Sequence, residues 1–119
     1  MKKAAVLRCL QTSVSCAGTG CFRACREKDG AFARYGGEQV ELVSVWTCNG
    51  CGPYTLPDPE GEGLQKKIDR MVKNGVDVVH LSNCTKKKNA EGEKVLCRTI
   101  AAIAAKLRAA GIEIAEGTH

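Results

Sequence analysis

The chain has 119 residues, of which 44% are hydrophobic and 26% charged, and its formal net charge is +5. This length and composition predict one globular domain over residues 1–119 that buries its own core. No apolar run approaches the roughly 18 residues that span a bilayer, which excludes a transmembrane helix. The apolar start is interrupted at Arg8, so we expect a first strand of a cytoplasmic protein rather than a signal peptide.

In chain order, the first half of the sequence predicts a strand, a helix and a second strand. The apolar run KAAVLRC predicts a buried strand over residues 3–9, and TGCFRACREK predicts a helix over residues 19–28. Residues 39–47 are rich in β-branched side chains and predict the second strand. The segment 54–63, rich in Pro, Asp and Gly, is typical of a loop.

The second half predicts a helix, a strand, a helix and a last strand. A helix over residues 63–75, ending at Gly75, would place four apolar side chains on one face: Leu64, Ile68, Met71 and Val72. Residues 76–83 predict the third strand. A helix over residues 94–111 carries one apolar stripe, formed by Leu96, Ile100, Ile103 and Leu107. Residues 112–119 provide a short fourth strand and the C-terminal residues.

The element order β-α-β-α-β-α-β predicts the α/β fold class. Strands that alternate with helices form a parallel sheet through right-handed crossovers, and the helices cover both faces. We therefore expect a single three-layer domain built on a four-stranded parallel sheet. Because parallel strands all end at one edge, ligands of such folds bind at the carboxyl ends of the strands.

Seven of the eight cysteines fall on this carboxyl edge. Cys9, Cys48 and Cys84 come at or just after the ends of the first three predicted strands. The others lie in connections on the same side: Cys16, Cys21, Cys51 and Cys97. A chain that buries its own core does not need a disulfide framework, so the thiols predict metal or redox chemistry. All seven are candidate ligands of a metal or cofactor.

The eighth cysteine is left out of this set, and two histidines are weaker candidates. Cys25 lies one helical turn after Cys21, and we interpret it as a buried structural thiol. His80 lies inside the third strand, where a histidine is more often a satisfied core group than a metal ligand. His119 lies at the carboxyl edge by its position in the sequence. Two interpretations stay open: it is a metal ligand or proton carrier, or it belongs to a mobile C-terminal tail.

A run of three lysines at residues 86–88 supplies much of the excess positive charge. It predicts a solvated basic loop that would also suit a small anionic or sulfur-containing ligand. No aromatic residues are interleaved with these lysines, so binding of nucleic acid is not expected.

Five segments together resemble the CGGC-domain family: RCLQTSVSCAGTGCF, AFARYG, CNGC, HLSNC and the terminal GTH. Members of this family are small, cysteine-rich proteins, common in anaerobic bacteria and archaea, and the resemblance implies metal binding without defining a reaction. The matching positions are Cys9, Cys16, Cys21, Cys48, Cys51, Cys84, Cys97, His80 and His119. The chain departs from the family pattern at Asn49-Gly50, which replaces Gly-Gly, and at Arg98-Thr99, where the family often carries Pro-His.

Three functions stay open on the sequence. Seven convergent thiols exceed the needs of one zinc ion and favour an iron–sulfur cluster with a redox, sulfur-handling or cluster-carrier role. A zinc site, structural or hydrolytic, is the alternative, although the chain has one Cys-x-x-Cys rather than two. The third is a thiol-disulfide or sulfur-transfer enzyme that exchanges at Cys48 and Cys51, but prolines delay the helix whose N-terminus would activate such a pair.

Overall fold

The computed structural model describes residues 1–51, 54–57 and 61–119. The strands within them are β1 (Lys2–Arg8), β2 (Val40–Thr47), β3 (Gly50–Cys51), β4 (Tyr54–Thr55), β5 (Val78–Leu81), β6 (Lys86–Lys88), β7 (Lys94–Leu96) and β8 (Glu113–Glu116). Four of them form a parallel sheet in the order β2-β1-β5-β8, and the others form two small antiparallel pairs, β3-β4 and β6-β7. The predicted four-stranded parallel sheet is confirmed.

Helices cover both faces of the sheet, as predicted. They are α1 (Thr19–Glu27), α2 (Glu62–Lys73) and α3 (Arg98–Ala109). Short 3-10 helices follow β1 at Gln11–Val14, precede β2 at Gly30–Tyr35 and follow β5 at Asn83–Thr85. No helix in the described part of the chain is long and apolar enough to cross a membrane.

The two faces of the sheet bury separate apolar cores. Alternate residues of β1 point in opposite directions, so Ala5 and Leu7 pack under α2 and α3, whereas Ala4 and Val6 pack under α1 and the 3-10 helix at Gly30–Tyr35. All four side chains are fully buried. We refer below to the α2/α3 face and the α1 face of the sheet.

One residue of the predicted apolar stripe in α2 faces away from the core. Leu64, Ile68 and Met71 are buried as predicted, but Val72 is 49% exposed. Val72 lies four residues after Ile68, and therefore 40° further round the helix, beyond the strip that the sheet covers. The prediction for Val72 was wrong because the contact with the sheet is narrower than the apolar stripe.

The predicted basic loop and the predicted start of the last helix were also wrong. Lys86–Lys88 pairs with Lys94–Leu96 as an antiparallel hairpin, and α3 begins only at Arg98. The side chain of Asn89 stabilises the turn, because its oxygen accepts hydrogen bonds from the Glu91 and Glu93 amides at 3.0 and 2.9 Å. This local side-chain bonding competes with helix formation. Leu96 still packs against the α2/α3 core, but from a strand.

Candidate thiol site at the carboxyl edge

The strand order reverses direction between β1 and β5, which makes a crevice at the carboxyl edge. From β1 the chain passes to β2 on one side, and the later strands β5 and β8 lie on the other. Right-handed crossovers place α1 on one face and α2 and α3 on the opposite face. In doubly wound sheets the loops diverge at this point and leave room for a ligand. Cys9, directly after β1, and Cys84, three residues after β5, flank the crevice.

Five of the predicted cysteines lie at the crevice or on its α2/α3 side. We call them the crevice thiols: Cys9, Cys48, Cys51, Cys84 and Cys97. Cys48 belongs to the buried α2/α3 core and Cys97 packs against it. Cys97 is also the residue that precedes the first turn of α3. Cys9 and Cys48 are buried, whereas Cys51 is exposed.

Backbone amides after β1 donate to the sulfurs of the crevice thiols. The Cys9 amide lies 3.5 Å from Sγ of Cys84, and the Leu10 amide lies 3.5 Å from Sγ of Cys48. The side-chain amide of Gln11 approaches Sγ of Cys51 at 3.8 Å. A turn of 3-10 helix begins here, and its first N–H groups have no helical acceptor. The segment after β1 therefore presents a row of donors to three sulfur atoms from two other parts of the chain.

The same donors favour an ionised thiol at Cys9. Burial alone would raise the pKa of Cys9, but the amides of Thr12 and Gln11 donate to its sulfur. The nearby ammonium of Lys87 also stabilises the thiolate, and the net effect is a pKa below the ordinary value. Cys9 is thus prepared to act as an anion.

Cys51 experiences the opposite effect. Desolvation raises the pKa of the Cys51 thiol, and repulsion from three neighbouring thiols raises it further: Cys97, Cys48 and Cys9. Lys87 partly offsets this repulsion. Four thiols from three separate segments, around residues 9, 48–51 and 97, are therefore close enough to interact electrostatically. Simultaneous ionisation of all four requires a compensating cation.

Lys67 of α2 fixes the segment that carries Cys48. Its ammonium donates to the carbonyl of Thr47 at 2.9 Å and to Oδ1 of Asn49 at 2.6 Å. Burial lowers the pKa of Lys67, and the charge of Cys48 partly opposes that shift. Sequence reasoning did not identify Lys67 or Lys87 as part of the site. Side chains alternate between the two faces of a strand, so Lys87 points away from the face that carries Lys86 and Lys88. This signal is usable only once residues 86–88 are known to form a strand.

The other two predicted ligands, Cys16 and Cys21, lie toward the α1 face. The guanidinium of Arg8 donates to Sγ of Cys16 at 3.3 Å and to its carbonyl at 3.1 Å. The thiol of Cys21 donates to the hydroxyl of Thr118 at 3.5 Å and lies 3.7 Å from the hydroxyl of Ser82. All seven cysteines thus occupy the carboxyl edge, but the hydrogen bonds of Cys16 and Cys21 described above lead to Arg8, Ser82 and Thr118 rather than to the crevice thiols.

Cys25 and His80 lie deeper on the α1 face. Cys25 is buried in the core under α1, where burial raises the pKa of its thiol. His80 is fully buried, stacks on Phe32 with ring centroids 4.1 Å apart, and contacts Tyr35 and Gly117 through its two ring nitrogens. Both nitrogens of His80 are therefore already engaged in hydrogen bonds.

His119 packs against the start of α1. A Cβ atom on Gly20 would lie 2.9 Å from Cδ2 of His119, so the imidazole occupies the space that glycine leaves open. Two hydrogen bonds fix the residues before His119 to the rest of the fold. The Ala31 amide donates to the Thr118 carbonyl at 2.8 Å, and the Gly117 amide donates to the Leu81 carbonyl at 2.7 Å. The structure thus places His119 beside Cys21 rather than among the crevice thiols.

The crevice thiols do not form a finished coordination site. Among residues 1–51, 54–57 and 61–119, no three Cys, His, Asp or Glu side chains lie close enough together to hold one metal ion. The chemistry of the donors nevertheless fits a thiophilic metal, since several thiols meet amide donors and lysine ammonium groups at one crevice. A metal would have to draw these thiols together, including Cys51, which is exposed.

Comparisons with known proteins agree with the resemblance drawn from the motifs. The family model described as CGGC domain matches residues 3–119. The chain is 34% identical over 88 residues to the uncharacterized protein MJ0582 of Methanocaldococcus jannaschii. That match covers 70% of this chain and 62% of the relative, so the chain accounts for less than two thirds of the relative's length. No solved structure matches the chain.

Proposed function

The chain belongs to the CGGC-domain family, and on that premise we propose that it binds a metal centre through the crevice thiols, most favourably an iron–sulfur cluster. One observation supports this more than any other. The thiols of Cys97, Cys48 and Cys9 all act on the pKa of Cys51, although Cys9 and Cys97 come from segments distant in sequence from the one that carries Cys48 and Cys51. Such a concentration of like charge is stabilised when a metal ion binds the thiolates.

The surroundings of the sulfurs favour a cluster over a lone ion. Cubane clusters are held by three or four cysteine thiolates, and hydrogen bonds to those sulfurs tune their reduction potential. The Leu10 amide and the Cys9 amide already point at sulfur atoms, at 3.5 Å each. Lys67 and Lys87 bring two positive charges that offset the negative charge of a thiolate-bound cluster. The proposed ligands are Cys48, Cys51, Cys97 and Cys9. Cys84, across the crevice, is the alternative ligand.

The chain's own residues would bind, orient and shield the group. Bound there, an iron–sulfur cluster supplies one-electron chemistry, or a site for sulfur when one iron lacks a cysteine ligand. Buried Cys9 and Cys48 would form the inner side of the site. Exposed Cys51 would close it from solvent, so that binding and local folding are coupled.

Anaerobic purification of the full chain tests the proposal. We expect a brown protein with broad absorbance in the visible range, together with iron and acid-labile sulfide in equal amounts. A colourless protein with one zinc per chain would contradict the cluster and support a zinc site instead. A colourless protein that contains neither iron nor zinc, and takes up neither on anaerobic reconstitution, would contradict metal binding altogether.

A second candidate, thiol-disulfide or sulfur-transfer chemistry, is favoured by the lowered pKa of Cys9. A thiolate that is stabilised by amides and an ammonium is a good nucleophile. The raised pKa of Cys51 disfavours the exchanging pair Cys48 and Cys51 that the sequence suggested. In metal-free protein, an alkylation rate of Cys9 that rises with pH as that of an ordinary thiol does would exclude this candidate.

A further inference from the structure

A second feature of the carboxyl edge is a cavity between the ends of β5 and β8. Its volume is about 210 Å³. Since liquid water occupies roughly 30 Å³ per molecule, the cavity has room for a small polyatomic ion with a substituent. Polar and charged groups that line it come from three elements: Ser82, Asn83, Lys86, Lys94, Glu116 and Gly117.

The β6-β7 hairpin concentrates positive charge on the cavity side. Lys88 lies directly opposite Lys94 in the register, and Lys86 lies two residues before Lys88 on the same strand face. Like charges directly opposite each other on an antiparallel pair are destabilising. Within the described residues, Glu116 is the carboxylate that forms an ion pair with this face, with Oε1 3.4 Å from Nζ of Lys86. Two lysines, Lys86 and Lys94, thus line the cavity together with one carboxylate.

We propose that this cavity binds a tetrahedral oxyanion, such as a phosphate or sulfate group. Lys94 and Lys86 would supply the positive charge, because ammonium groups bind such oxyanions as point charges. The hydroxyl of Ser82 is buried, and its contact with Sγ of Cys21 is long, at 3.7 Å. This hydroxyl can therefore donate a hydrogen bond to an oxygen of the anion.

The position of the cavity gives the anion a role beside the thiols. Ser82 connects it to Cys21 on the α1 face, and Cys84 lies in the 3-10 helix between the lining residues Asn83 and Thr85. A substrate held by its anionic group would therefore stand next to sulfur atoms from both sides of the carboxyl edge. The site does not depend on a metal, so it is independent of the proposed function.

An NMR titration of the full chain with inorganic phosphate at low ionic strength tests the proposal. We expect saturable shifts of the amides of residues 82–86, 94 and 116–117. Replacing one lysine that faces a dianion near the protein surface should weaken binding about tenfold, so Lys94→Gln and Lys86→Gln should each show this loss. Lys73→Gln is the matched control, because it removes the same charge from the last turn of α2, at the opposite edge of the sheet.

Glu116→Gln gives a second, independent prediction. It removes the carboxylate that competes for Lys86, so phosphate should bind severalfold more tightly. Sulfate should displace phosphate, whereas acetate should not. The proposal is overturned if the shifts do not saturate, if Lys73→Gln weakens binding as much as Lys94→Gln, if Glu116→Gln leaves the affinity unchanged, or if acetate binds as well as phosphate.

Discussion

The hydroxyl of Tyr35 lies 2.6 Å from Nε2 of His80, in a cluster that is buried between the sheet and the 3-10 helix at Gly30–Tyr35. On its other side, Nδ1 of His80 lies 2.9 Å from the carbonyl of Gly117. A carbonyl can only accept, so Nδ1 carries the proton and Nε2 accepts from the hydroxyl of Tyr35. This neutral ring connects β5 to the segment before β2 and to the C-terminal residues.

The buried ring makes the stability of the fold depend on pH. Burial lowers the pKa of His80, while the Gly117 carbonyl opposes the shift; Arg34 lowers the pKa further and Glu113 raises it. The unfolded state therefore binds more protons than the folded state, and the free energy of unfolding falls as pH drops below about 6.5. The slope for one such group approaches about 1.4 kcal/mol per pH unit.

Urea denaturation between pH 4.5 and 8 measures this slope. His80→Gln, which keeps polar atoms in the ring's position but does not titrate, should flatten the curve below pH 6.5 and lower the overall stability. Tyr35→Phe removes only the hydroxyl and should cost about 1 kcal/mol at neutral pH. An unchanged pH profile in His80→Gln would show that other groups control the acid sensitivity.

Gly30 is the position where the C-terminal residues approach the backbone most closely. Its φ is +53°, and an added Cβ would lie 2.3 Å from the carbonyl oxygen of Thr118. Gly30→Ala should therefore lose both the left-handed conformation and the docking of Thr118 onto Ala31. We expect a loss of at least 2–3 kcal/mol, of which only about 1 kcal/mol is the conformational term.

Gly111→Ala provides the matched control for that variant. Gly111 also has a positive φ, +90°, but an added Cβ would meet nothing within 4 Å. The difference in free energy of unfolding between the two variants isolates the cost of displacing Thr118. Equal losses in thermal or urea denaturation would show that Thr118 is not held in place.

Lys67 should position Cys48 through the residues on either side of it. In Lys67→Met the buried Oδ1 of Asn49 and the carbonyl of Thr47 lose their shared donor, which should cost about 1–3 kcal/mol. Metal content should fall as well, because the segment that carries Cys48 is no longer fixed. Lys67→Arg keeps a donor at this position and should therefore retain most of the stability and most of the metal content. Normal stability and metal content in Lys67→Met would contradict the positioning role.

Much of the fold was accessible from the sequence, because hydrophobic periodicity marks buried faces directly. The four main strands and three helices were predicted within a few residues, apart from the start of α3. The hairpin at Lys86–Lys88 was missed because charged residues carry no apolar period, and its turn depends on the single side chain of Asn89. Val72 was assigned to the core because periodicity gives the centre of a helical stripe better than its width.

The common edge of the cysteines was predicted from the sequence, whereas the face of the sheet on which each thiol lies was not predicted. Sequence alone gave the end of each strand, and hence the common edge of Cys9, Cys48 and Cys84. It did not give the strand order, and the reversal between β1 and β5 is what places α1, with Cys21 in it and Cys16 just before it, on the face opposite α2 and α3. The docking of His119 on Gly20 also depends on tertiary contacts that no local pattern encodes.

The most direct test of the account is the metal content per chain of single cysteine variants purified anaerobically under identical conditions. Cys25→Ala serves as the control for a lost buried thiol, since Cys25 lies in the core under α1. We predict that Cys48→Ser and Cys51→Ser lose most of the bound metal, whereas Cys16→Ser, Cys21→Ser and Cys25→Ala keep it. Full retention in Cys48→Ser and Cys51→Ser, or loss in Cys16→Ser and Cys21→Ser instead, would contradict a metal centre built from the crevice thiols.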